Sequence, residues 1–169
     1  MKSHCAPSSI AAIILAAAAL AISASAADES LVRQDDRIVF VGDSITGQGW
    51  LHKQGFVHQM EAALHEKWPS GKLQAIALGG SGASVGAWQN FEKKSREAEL
   101  FLDVKTVDVR ATLDHGADVL IIMLGMNDLL APYVKEQAAD LDAWASRYAT
   151  LLTSLRERVK PRVIALATI

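Results

Sequence analysis

The chain is short of cysteine, of charge imbalance and of long apolar runs. Its single cysteine, Cys5, stands near the start of the 169 residues, so no disulfide framework can hold the fold and a hydrophobic core must do so. Seventeen lysines and arginines meet nineteen aspartates and glutamates, a formal net charge of −2. Without a basic excess there is no electrostatic footprint for nucleic acid. Half of the residues are hydrophobic, which excludes a disordered chain. Only one apolar run is long, Ile10 to Ile22, and it falls short of the roughly 20 residues that a membrane-spanning helix needs.

That run follows Lys2 and precedes the small residues Ser23-Ala24-Ser25-Ala26. A basic start, an apolar stretch and an A-x-A ending read as a secretory signal peptide over residues 1–26, cleaved after Ala26. An uncleaved anchor is the alternative. Cys5 lies away from the junction, so it cannot become a lipid-bearing first residue, and the mature chain has no thiol. Residues 27–169 suffice for one soluble α/β domain, secreted or periplasmic.

Four apolar runs rich in β-branched residues recur, Arg37–Val41, Leu73–Leu78, Asp118–Leu124 and Arg162–Ile169. Helix-period segments separate them, and this alternation predicts a parallel sheet. The first helix is expected over Phe56–Trp68, with Val57, Met60, Leu64 and Trp68 on one face and Pro69-Ser70-Gly71 ending it. A more broken helical region is expected over Ser95–His115, closed by Gly116. The third carries the stripe Leu141, Trp144, Tyr148, Leu151, Leu152 and Leu155, with Arg156, Arg158 and Lys160 favouring its C-terminal dipole. The last run reads as a buried strand, and a domain rarely closes on a central strand. The reading is therefore of a domain whose C-terminal part lies beyond Ile169.

In an open parallel sheet, reactive groups collect beyond the carboxyl ends of the strands. After the first run comes Gly42-Asp43-Ser44, where a serine at the sheet's rim can be a nucleophile; the same residues also serve ordinary turns and helix caps. After the second comes Gly79-Gly80-Ser81-Gly82-Ala83-Ser84, whose backbone can turn N–H groups to an anion, with Gly79 the expected donor. A dinucleotide loop is the competing reading, but glycines 80, 82 and 86 are spaced G-x-G-x-x-x-G instead of G-x-G-x-x-G. After the third comes Gly125-Met126-Asn127-Asp128, in which Asn127 can donate its amide to an oxyanion and Asp128 can cap a helix. A serine, a glycine N–H and an asparagine amide at three successive strand ends form the nucleophile and oxyanion hole of acyl transfer.

These blocks resemble, in kind and order, those of the SGNH/GDSL hydrolases. The resemblance runs over roughly Arg37 to Ile169. It implies a three-layer α/β/α sandwich, flavodoxin-like, and an esterase with Ser44 as nucleophile. It also implies an oxyanion hole of Ser44 N–H, Gly79 N–H and Asn127, and no metal or organic cofactor. The second block departs from the family, with Ala77 where an asparagine is usual. The family's fourth block, Asp-x-x-His, does not occur here, since no aspartate precedes a histidine by three positions. His52 reads as a loop residue, His58 and His65 as a helix flank and His115 as a turn before the third strand, so the general base is missing and little activity is expected from these residues. Trp50 and Trp88 can line the mouth of the site or pack in the core. The expected substrate is a polysaccharide or small-molecule ester, either an acyl group on a carbohydrate or a short-chain ester. A non-catalytic carbohydrate-binding relative is the alternative.

Overall fold

The computed structural model describes residues 30–130 and 138–167. The expected signal peptide lies outside the described residues, as do Thr168 and Ile169 of the fourth apolar run. In chain order the elements are β1 (Arg37–Gly42), α1 (Ser44–Leu51), α2 (Phe56–Lys67), β2 (Gln74–Gly79), α3 (Val85–Glu97), α4 (Val109–His115), β3 (Val119–Met123), α5 (Met126–Leu130), α6 (Ala138–Val159) and β4 (Val163–Leu166). The strands form one sheet in the order β2-β1-β3-β4, and every pairing is parallel.

Alternation along β1 explains the three layers. Val39 and Val41 enter one core with Trp88 of α3, Val109 and Leu113 of α4 and Leu151, Leu155 and Val159 of α6. Ile38 and Phe40 point the other way, to Val57, Met60 and Leu64 of α2. A strand covered on both faces has to be apolar throughout, as Ile38–Val41 is. The expected stripe of the first helix packs as read, and α6 turns Leu151 and Leu155 to the sheet.

β4 departs from the buried strand expected of its sequence. Among the described residues it pairs with β3 alone, its side chains are half-buried, and Leu166 is 55 % exposed. An apolar run reads the same at a sheet's edge as at its centre, so composition alone could not separate the two.

The expected helix over Ser95–His115 is replaced by two. α3 starts earlier, at Val85, with the Ser84 hydroxyl accepting Ala87 N–H at 3.2 Å. Its buried side includes Glu92 and Ser95, and Arg158 satisfies both, donating to Ser95 Oγ at 2.8 Å and lying 3.4 Å from Glu92 Oε1. A half-polar buried stripe escapes any search for apolar periodicity. Between α3 and α4 the chain forms a loop, closed by an antiparallel bridge of Phe101 and Asp108 and by Leu100 N–H on the Asp108 carboxylate at 2.8 Å.

Strand order reverses at β1, with β2 on one side and β3 on the other. The crevice beyond the carboxyl ends of β1 and β3 is thus the topological switch point where open α/β sheets hold ligands. Gly42-Asp43-Ser44 and Gly125–Asp128 both lie there.

Candidate active site

Ser44 opens α1, immediately after β1. Asp43 is the N-cap: its carboxylate accepts Ile45 N–H at 2.9 Å and its carbonyl accepts Gly47 N–H at 3.0 Å. This helix was not apparent in the sequence, because Ser-Ile-Thr-Gly-Gln-Gly-Trp-Leu carries no apolar stripe and reads as a turn. It survives by packing backbone on backbone. A Cβ on Gly79, the last residue of β2, would overlap Gly47 N, so α1 sits directly on the strand end. Beneath it Thr46 Oγ1 is buried without a hydrogen-bond partner among the described residues.

The Ser44 side chain is half-buried. Its backbone N–H donates to no acceptor among the described residues. A free N–H in the first turn of an eight-residue helix combines a hydrogen-bond donor with the positive end of the helix dipole, which suits an anion.

Asn127 is the second residue of α5, and the fold brings it to Ser44's neighbour. Its side-chain Nδ2 donates to Asp43 Oδ2 at 3.1 Å and to the carbonyl of Ala83 at 3.1 Å. One amide thus ties together the loops after β1, β2 and β3. Both of its protons are engaged, so an oxyanion must compete with Ala83 for one of them. Asp128 is 3 % exposed and caps a distant helix: both carboxylate oxygens accept Val85 N–H of α3, at 3.0 and 3.3 Å. Burial, and after it the Asp128 charge, raise the Tyr148 hydroxyl above its ordinary range.

Gly79 lies beside α1, but its N–H, the expected oxyanion donor, is turned elsewhere. Gln74 N–H donates to Asp36 O and Gly80 N–H to Gly42 O, so the even-numbered peptides of β2 face β1 and those of odd number face the opposite edge. On that edge the Gly79 carbonyl accepts Asp103 N–H at 3.2 Å. The turn that follows, closed by Ala83 N–H on Gly80 O at 3.0 Å, carries Gly82 at φ +66, with open space where a Cβ would stand. Gly82 N–H donates to nothing among the described residues. Its left-handed backbone is natural for glycine, and the Gly79–Ser84 segment singled out in the sequence included it.

No described histidine reaches Ser44 by hydrogen bond. His52 is the exposed C-cap of α1. His58 Nε2 donates to Trp50 O at 2.6 Å, with Glu61 3.9 Å from its Nδ1. His65 is exposed in the last turn of α2. His115 ends α4 at the amino end of the sheet, where Arg37, the first residue of β1, donates to Gly116 O at 2.9 Å. A strand of this length places that end about 20 Å from Ser44. Among the described residues no three metal-ligating side chains cluster.

The two tryptophans belong to the structure around the site. Trp88 is fully buried and donates its indole N–H to Gly42 O at 2.7 Å; Trp50 is half-buried against the α2 core and stacks on His58 at 5.0 Å.

The model of the GDSL-like lipase/acylhydrolase family matches residues 40–169. No curated protein matches the chain. Among solved structures, the acetyl xylan esterase AlAXEase is 21% identical with a TM-score of 0.55, over 77% of this chain and 56% of that one. The acetylxylan esterase Axe2 from Geobacillus stearothermophilus is 23% identical with a TM-score of 0.51, over 78% and 58%. The chain thus spans less than two thirds of the length of either esterase.

Proposed function

Since the chain belongs to the GDSL-like lipase/acylhydrolase family, we propose that it serves a secreted serine esterase in which Ser44 attacks the carbonyl carbon of a carboxylic ester. The observation that carries this reading is the Asn127 amide, which joins Asp43 to Ala83 and so gathers three strand ends around the free Ser44 N–H. Ser44 Oγ bonds to the acyl carbon, its proton passes to a general base, and the alcohol departs with that proton. Water then releases the acid from the acyl-enzyme. Ser44 N–H and Asn127 Nδ2 hold the tetrahedral oxyanion. The glycine donor is Gly82 in preference to Gly79, because the Gly79 peptide faces the sheet's edge.

No described histidine reaches Ser44, so this arrangement by itself hydrolyses esters slowly; an oxyanion hole without its base retains a residual effect on the order of 10³–10⁴-fold over water in measured triad enzymes. The same observation favours a second reading, a carbohydrate-binding relative that keeps the pocket without the chemistry. Residues 1–26 direct secretion, and no described helix is long and apolar enough to cross a membrane. The substrate is an acylated carbohydrate or a short-chain ester, in keeping with the acetylxylan esterases among the similar folds.

Nitrophenyl acetate hydrolysis and fluorophosphonate labelling test the assignment. Slow hydrolysis and correspondingly slow labelling of Ser44 are expected, the adduct disappearing in Ser44→Ala. Hydrolysis at an ordinary enzymatic rate would refute the missing base. Labelling of other serines with Ser44 untouched would refute the nucleophile and leave the binding reading.

A further inference from the structure

The loop between α3 and α4 contributes a polar wall to the site that the chemistry of acyl transfer does not require. Asp103 N–H is fixed on Gly79 O at 3.2 Å, and Asp103 Oδ2 accepts the Ser81 hydroxyl at 3.0 Å. The same oxygen lies 3.1 Å from the point where a Cβ on Gly47 would stand. Gly47 is one helical turn after Ser44, and residues three apart are neighbours on a helix surface. Asp103 therefore stands between the nucleophile helix and the glycine turn that holds Gly82. Its Oδ1 accepts no hydrogen bond among the described residues.

Leu102 points inward, 3.6 Å from the Cβ position of Gly80. Phe101 precedes it at the bridge to Asp108, and Asp103 follows it at the bend that faces Gly47. Phe101 is 43 % exposed. The bridge to Asp108, Leu100 N–H on Asp108 and Val109 N–H on Leu100 O at 2.7 Å all fix the loop. The backbone that carries the ring and the carboxylate is thus held in place before any ligand arrives, and little backbone ordering remains to be lost on binding.

We infer that Phe101, Asp103 and Ser81 form a lip that binds a neutral sugar unit in the alcohol part of the ester. This rests on the esterase reading and names the residues that would select its substrate. A carboxylate with a free oxygen accepts hydrogen bonds from hydroxyl groups, the Ser81 oxygen keeps lone pairs for another, and the phenyl face covers the apolar C–H side of a pyranose ring. An acyl chain lying on the ring would strip water from the Asp103 carboxylate without replacing its hydrogen bonds, and an anionic headgroup or uronic acid is repelled by it. A quaternary ammonium is held best by aromatic rings on several sides, and the lip has one.

Titration of the full chain with xylotetraose, followed by calorimetry, tests the lip. Saturable binding is expected, weakened about tenfold or more by Phe101→Ala and by Asp103→Ala. Phe101→Ala removes an exposed ring, so it keeps the test decisive if Asp103→Ala disturbs the loop. Choline and trigalacturonate should not compete. The inference fails if xylotetraose does not bind at up to about 10 mM, if both variants bind it as the parent does, or if choline binds more tightly. Ser44→Ala should leave sugar binding intact while abolishing the fluorophosphonate adduct. Lost sugar binding with the adduct retained therefore refutes the lip alone, and a missing adduct with sugar binding retained refutes the esterase alone.

Discussion

The indole N–H of Trp88 donates to the carbonyl of Gly42 over 2.7 Å, joining α3 to the last residue before the Asp43-Ser44 turn. The same carbonyl accepts Gly80 N–H at 3.2 Å, so a single oxygen positions both the Asp43-Ser44 turn and the glycine turn. Trp88→Phe keeps an aromatic ring but removes the donor and part of the ring volume, and it should cost at least on the order of 1 kcal/mol, the net worth of a typical buried hydrogen bond. Trp88→Ala leaves a cavity as well and should cost about 3–5 kcal/mol. Urea unfolding of the two variants measures the difference, and a Trp88→Phe variant as stable as the parent would mean that the hydrogen bond contributes nothing.

Asp43 combines two duties. It caps α1 through Ile45 N–H and holds Asn127 through its other oxygen. Asp43→Ala should lose about 0.5–2 kcal/mol from the cap and should also slow labelling of Ser44, because Asn127 is no longer fixed from that side. Asp43→Asn retains one side-chain oxygen, which can cap the helix or accept from Asn127. Thermal unfolding and labelling rate should therefore fall together in Asp43→Ala and separate in Asp43→Asn; an unchanged labelling rate in both would remove Asp43 from the positioning of Asn127.

Strands and amphipathic helices were legible because each shows its burial in one repeating pattern. Val57, Met60 and Leu64 gave α2, and Ile38–Val41 gave the doubly covered strand. Ser44 and Asn127 were legible because they follow such strands directly, and the fold sets both at the switch point. What stayed hidden depends on contacts distant in sequence. α1 rests on glycine-to-glycine packing with Gly79. α3 buries Glu92 and Ser95 against Arg158, about sixty residues away. The direction of the Gly79 peptide follows from strand register, which composition does not contain, and Asp103 entered the site through a loop that the sequence read as helix.

The glycines of the site should differ sharply from one another. A side chain on Gly79 meets the backbone of Gly47, which no rotamer change relieves. Gly79→Ala should cost at least the ~1–3 kcal/mol typical of overpacking and lower the melting temperature by several degrees. Gly82→Ala meets open space, and its penalty is the left-handed backbone alone, roughly 1–2 kcal/mol. Its N–H is retained, so Ser44 labelling should survive in Gly82→Ala and decline in Gly79→Ala as α1 is pushed away. The opposite order in a melting series would overturn the packing account of α1.

Acid should loosen the loop that carries Phe101 and Asp103 before it unfolds the sheet. Partial burial pushes the Asp108 carboxyl up, but N–H donation from Leu100, Ala111 and Arg110, with the Arg110 charge, outweighs this and holds it below its ordinary value. The folded state therefore binds that proton less readily than the unfolded chain. The contribution is present in full above the unfolded value of about 3.9 and is lost as pH falls through the lower folded one. Asp108→Asn cannot carry the charge, so its stability should depend less on pH across that window than the parent's does. Urea midpoints measured from about pH 5 down to pH 2.5 check this, and parallel curves for the two proteins would show that Asp108 does not hold the loop by its charge.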